Sequence, residues 1–165
     1  MRWIWIDRFL EFESGKSAKA VKNLSTAEDH FRDHFPGYPV MPAALIIEGL
    51  AQTGGILVGE ANQFREKVVL AKIAKTRFER EMFAGEQLIY QVEILMMRPE
   101  AASVLGKVFV DGVQTAEAEI FFAHLDQAQR GGWENAEIGR QQTVAQQVHQ
   151  RWKQVALRQV AGGAE

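Results

Sequence analysis

Two side chains of this sequence have the type and setting for proton-transfer chemistry. His34 carries an imidazole able to act as a base near neutral pH, and Glu48 is a carboxylic acid in an otherwise apolar stretch. Between them runs His34-Phe35-Pro36-Gly37-Tyr38-Pro39-Val40-Met41-Pro42. Desolvation disfavours a charged carboxylate, so a Glu48 surrounded by apolar groups should hold its proton more tightly, as a general acid requires. A helix starting at Pro42 would offer unpaired N–H groups to an anion. Base, acid and anion site together suit abstraction of a proton next to a carbonyl, where charge builds on the oxygen. Spacing alone leaves open whether they converge. The bland readings are an ordinary surface histidine and a glutamate that reaches solvent through a gap in the packing.

The loop between the two groups is pinned by Pro36, Pro39 and Pro42, which fix their own φ and push Phe35, Tyr38 and Met41 toward extended backbone. Pro42 suits the first turn of a helix. Ala43 to Gly59 then holds only three polar side chains, Glu48, Gln52 and Thr53, the pattern of a helix wrapped by other protein surface. Gln52 lies at i+4 from Glu48, where its amide can hold the carboxyl in one rotamer. A membrane span competes with this reading, but the run falls short of the roughly 20 apolar residues needed. It also carries a carboxylate and four glycines, Gly49, Gly54, Gly55 and Gly59. Those glycines predict close approach to a neighbouring sheet, with packing offsetting their low helix propensity.

Six segments read as strands from branched and aromatic content and partial alternation: Trp3 to Phe12, Lys16 to Leu24, Val68 to Phe78, Leu88 to Met97, Ser103 to Val110 and Gln114 to His124. Asp111-Gly112 is a two-residue hairpin signal. One long helix between the second and third strands, then a meander, predicts an α+β fold in which an antiparallel sheet curls around the helix.

Composition narrows the chemistry. A chain of 165 residues with 47% hydrophobic content supports one domain with a sizeable core. A net charge of -2 and a pI near 6.1 give no electrostatic case for nucleic acid. There is no cysteine, hence no disulfide and no thiol nucleophile. Neither a phosphate-binding glycine loop nor a Gly-x-Ser-x-Gly elbow is present. The opening Met1-Arg2-Trp3-Ile4-Trp5-Ile6-Asp7 soon reaches charge, so a cytoplasmic location is expected. His30 and His34, four apart beside Glu28, Asp29 and Asp33, raise a metal site, but Pro36 argues against an intact helix through His34 and no third ligand is obvious. His124 and His149 have no partner pattern and read as structural or exposed.

The stretch Asp33-His34-Phe35-Pro36-Gly37-Tyr38-Pro39-Val40-Met41-Pro42, with Leu45-Ile46-Ile47-Glu48-Gly49-Leu50-Ala51-Gln52 after it, closely resembles the signature of the 3-hydroxyacyl-acyl-carrier-protein dehydratases of fatty-acid synthesis, which have the hot-dog fold. The likeness extends more loosely over residues 1–125, through Lys72-Ile73, Phe83-Ala84-Gly85-Glu86-Gln87-Leu88 and the Asp111-Gly112 hairpin. It implies that His34 and Glu48 are the catalytic pair, glutamate standing where the isomerising relatives carry aspartate. It further implies that Gln52 supports the acid, that Gly37 belongs to the substrate-binding loop, and that the Ala43 N–H meets the thioester oxygen. No cofactor or metal is implied. The implied partners are an acyl carrier protein bearing a phosphopantetheine-linked substrate and further copies of the chain, in a homodimer or a trimer of dimers. In such a dimer each site takes its two catalytic residues from different subunits. This sequence departs from the usual pattern at Asp33 and Ala43, where glycines are the rule. The Ala43 methyl narrows the pocket while keeping the N–H, and Asp33 stands where it can raise the pKa of His34 or narrow substrate entry. A thioesterase or enoyl hydratase of the same fold, and a non-catalytic acyl-binding or scaffold subunit, stay open beside the dehydratase.

After residues 1–126, which form the expected hot-dog domain, residues 127–135 are polar and hold Gly131-Gly132, a plausible linker. In residues 136–165, Val144, Val148, Trp152 and Val155 recur at helical spacing among glutamines and basic residues, predicting an amphipathic helix. Its apolar stripe is expected to pack on its own domain or a neighbouring subunit. Docking of an acidic carrier through Arg151, Lys153 and Arg158 is the alternative.

Overall fold

A computed structural model describes residues 4–125. The segments 127–135 and 136–165, with the expected linker and amphipathic helix, lie outside the described residues, as does His149.

The described chain runs β1 (Arg8–Glu13), β2 (Ser17–Asn23), a short α1 (Asp29–Asp33), α2 (Ala43–Ala61), β3 (Lys67–Phe78), β4 (Gln87–Met97), β5 (Ala101–Val110) and β6 (Val113–Leu125). The strands form one antiparallel sheet in the order β1-β2-β4-β5-β6-β3. This sheet wraps around α2, which meets β2, β3, β4, β5 and β6. It is the hot-dog arrangement that the sequence predicts.

Strand limits fall within two residues of the sequence reading except at the first. Ile4 to Asp7 is irregular rather than strand. The Trp5 N–H is drawn to the Gln52 side chain on α2 at 2.8 Å, and Asp7 Oδ2 accepts the backbone and side-chain N–H groups of Asn23 at 2.8 and 2.9 Å. Trp5 and Ile6 are therefore buried under the helix instead of extending β1.

Helix α2 buries Ile46, Leu50, Ile56, Leu57 and Val58. At about 1.5–3 kcal/mol for each fully buried side chain, this outweighs a helix-propensity cost of about 1 kcal/mol per glycine. Close packing requires glycine most strictly at Gly49, where an added Cβ would overlap the Tyr90 ring of β4. Contact at Gly54 is tight, against Val104 and Phe122, whereas Gly55 has ordinary room and Gly59 lies closest to Phe64 of the following loop, with Val68 of β3 farther off. Although α2 is long and apolar enough to cross a membrane, its packing face is the inside of the sheet. The Asp111-Gly112 hairpin has positive φ at both residues, 50° and 78°, as a two-residue turn between twisted strands demands.

Candidate active site

His34 sits where α1 stops. The helix spans Glu28 as N-cap to His34 as C-cap, and the His34 N–H donates to the His30 carbonyl at 3.0 Å. The loop beyond is closed by paired bonds between Phe35 and Tyr38 and by the Val40 N–H donating to the His34 carbonyl, all at 2.9 Å. Gly37 occupies the turn at φ 81°, a left-handed conformation that favours glycine. A further bond, Met41 N–H to the Met82 carbonyl at 2.8 Å, fastens the end of the loop to the segment before β4.

The half-buried His34 ring places Nδ1 3.0 Å from the Val40 carbonyl. A carbonyl oxygen only accepts, so Nδ1 carries the proton and Nε2 presents its lone pair as a base.

Glu48 is half-buried within the chain rather than enclosed. Its Oε1 accepts the Gln52 amide N–H at 2.9 Å, and Gln52 Oε1 in turn accepts the Trp5 backbone N–H at 2.8 Å. Gln52 is thus oriented from both ends, and Oε2 of Glu48 has no hydrogen-bond partner among the described residues. His34 and Glu48 make no hydrogen bond or ion pair with each other within one chain. Each is held by its own partners.

Helix α2 begins with Pro42 as N-cap and has neither an acidic residue in its first turn nor a side-chain cap. The N–H groups of Ala43 and Ala44, both exposed, therefore have no intrahelical acceptor. Ala43 lines a recess of about 270 Å³ with Met41, Ile46, Phe78, Glu79, Arg80 and Glu81. His34, Gly37, Glu48 and Gln52 do not line it. The recess is apolar at its base and charged at its rim. Among the described residues no group of three or more histidine or acidic side chains is placed to hold a metal ion.

Asp33 is exposed and turns to Arg32, with bonds of 3.1 and 3.3 Å, so its carboxylate is paired with that guanidinium rather than with His34. The same hydrogen bond holds Asp33 below its ordinary carboxylate range. His30 is buried against Trp5 and Phe31, and burial lowers its pKa. His124 lies at the far end of β6, its Nδ1 2.9 Å from the Pro99 carbonyl and 3.4 Å from Glu66. Sequence reasoning missed Tyr38, whose hydroxyl donates to Glu81 at 2.6 Å and ties the histidine loop to the rim of the recess. It also missed Trp5, whose bond to Gln52 joins residues too distant in the chain for spacing to reveal.

A family model for the FabA-like domain matches residues 3–119. The chain is 42% identical over 125 residues to the 3-hydroxyacyl-[acyl-carrier-protein] dehydratase FabZ of Listeria welshimeri, covering 75% of this chain and 87% of that protein. It is 43% identical over 122 residues to the FabZ of Oceanobacillus iheyensis, covering 73% and 87%. Among solved structures it is similar in fold to the dehydratase heterocomplex ApeI:P of Xenorhabdus doucetiae, with TM-score 0.66 and 14% identity over 77% of this chain and 86% of that one. The structure of a hypothetical thioesterase protein from Streptococcus pneumoniae with coenzyme A has TM-score 0.59 and 8% identity over 73% of this chain and 89% of that one.

Proposed function

The chain belongs to the FabA-like family, and from that premise we propose that it is a 3-hydroxyacyl-[acyl-carrier-protein] dehydratase, a lyase that removes water from the thioester to leave the trans-2-enoyl product. Nε2 of His34 takes the proton from C2. The electron pair moves toward the thioester carbonyl, whose oxygen is met by the Ala43 N–H at the uncapped start of α2. Glu48, held by Gln52, gives its proton to the C3 hydroxyl, which departs as water while the C2–C3 double bond forms. The observation that carries this reading is the preparation of both groups: a carbonyl fixes the imidazole tautomer and an amide fixes the carboxyl.

The carrier-linked substrate is read from the curated relatives. A second copy of the chain completes the site in this proposal. Edge strand β3 supports it, because Leu70, Ile73 and Phe78 are exposed along a twelve-residue strand whose outer edge is unpaired among the described residues. Phe78 belongs to both that strand and the apolar recess, so a partner pairing there would also wall in the acyl chain.

The test supplies purified protein with a 3-hydroxyacyl carrier protein and follows the acyl group by mass spectrometry. Formation of the enoyl thioester, lost in both His34→Ala and Glu48→Gln while the fold persists, is the expected result. Release of free carrier thiol without enoyl product would mark a thioesterase, and tight binding without turnover a scaffold subunit. Each of these would overturn the assignment.

A further inference from the structure

Behind α2, outside the groups assigned to the reaction, lies a buried lysine. Lys22 on β2 is only 7% exposed, and its ammonium stands 2.5 Å from Glu28 Oε1 and 3.5 Å from Asp7 Oδ1. Both acids are committed to backbone. Glu28 is the N-cap of the single turn that ends on His34, and its Oε2 accepts the Ser25 N–H at 3.2 Å. Asp7 is fixed on β2 through Asn23 and through its own N–H to the Val21 carbonyl at 2.7 Å. Two residues before Asp7, Trp5 donates to Gln52, which donates to Glu48.

We infer that Lys22 is a positioning residue that ties the His34 arm to the Glu48 arm of one chain. One acid partner sets where the turn leading to the imidazole begins. The other holds the N-terminal segment that orients the amide behind the carboxyl.

Tyr90 adds an independent observation. Its hydroxyl is fully buried without a hydrogen-bond partner among the described residues, its ring presses on Gly49 beside Glu48, and burial followed by the charges of Asp7 and Glu28 pushes its pKa far up. The phenol abuts α2 at Gly49, and the Lys22 ammonium offsets the charge of both carboxylates. The lysine is buried while its acid partners stay partly exposed, at 39% for Asp7 and 24% for Glu28, a pairing of modest worth for stability alone. Holding both arms of the chain in place, each arm serving one of the two shared sites, accounts for its position.

The kinetic arm of the test rests on the dehydratase reading; the spectroscopic arm does not. Lys22→Met removes the charge and keeps the volume, and Lys22→Arg restores it. The expected result for Lys22→Met is a kcat lower by about a hundredfold, the scale of a small misplacement of reacting groups, with KM nearly unchanged and substantial recovery in Lys22→Arg. The His34 imidazole resonance, assigned with His34→Ala, should move in Lys22→Met even if no substrate turns over. An unmoved resonance, or a kcat within about twofold of wild type alongside a lowered melting temperature, would make Lys22 a purely structural residue and overturn the inference. Should Lys22→Met fail to fold, Glu28→Gln and Asp7→Asn, which keep shape and lose charge, decide on the same criteria. Absence of turnover in wild type sinks the dehydratase assignment, leaving the imidazole signal to decide the role of Lys22.

Discussion

At the scale of single residues, the Val40 carbonyl and the Gln52 amide decide which atoms are available for the proposed reaction. One assigns the proton of His34 to Nδ1, and the other occupies one oxygen of Glu48 while leaving the second for substrate. Loss of either reacting group should therefore cost a general acid or base contribution of about 10²–10⁴ in kcat, whereas Gln52→Ala should cost less, because it frees the rotamer without removing the acid. Steady-state kinetics on the three variants checks this order. His30 carries a separate expectation. Burial against Trp5 and Phe31 lowers its folded pKa, so the unfolded chain binds the proton first as pH falls. Its contribution to stability is complete above the unfolded value of about 6.5 and is lost as pH drops toward the folded value. In melts between neutral and mildly acid pH, His30→Phe should show a flatter fall of Tm than wild type; equal slopes would assign the acid sensitivity elsewhere.

At the scale of elements, α2 is apolar, rich in glycine and wrapped by the sheet, and its closest approach has a single strict point. Gly49→Ala should destabilise by about 1–3 kcal/mol, as overpacking of a filled core does, because the new methyl meets the Tyr90 ring. Gly55→Ala has room and gains helix propensity, so it should be neutral or stabilising by up to about 1 kcal/mol. Denaturant melts of both variants separate close packing from propensity. The helix and five of the six strands were legible because their patterns are local: Pro42 before an apolar run, and alternation ending at Asp111-Gly112. Local spacing also foretold the i+4 bond from Gln52 to Glu48. The path of Ile4 to Asp7 was not legible, because branched and aromatic residues there look like a strand until Gln52 captures the Trp5 N–H. Nor were the Tyr38–Glu81 and Lys22–Glu28–Asp7 links, which join residues that only the folded sheet brings together.

At the scale of the whole molecule, one chain holds a prepared base and a prepared acid that do not bond to each other, beside an edge strand with exposed apolar side chains. Ile73→Lys should convert an assembled species to monomer in sedimentation and abolish turnover together; an active monomer would show that one chain suffices. The most direct measurement coexpresses His34→Ala and Glu48→Gln chains under different tags and assays the purified heterodimer on a 3-hydroxyacyl carrier protein. Each parent variant is expected to be inactive, and the heterodimer to regain enoyl formation at the one site that pairs an intact His34 with an intact Glu48 from the other chain. A heterodimer no faster than its parents would contradict the shared site, and turnover near the wild-type rate in either parent alone would contradict the catalytic pair itself.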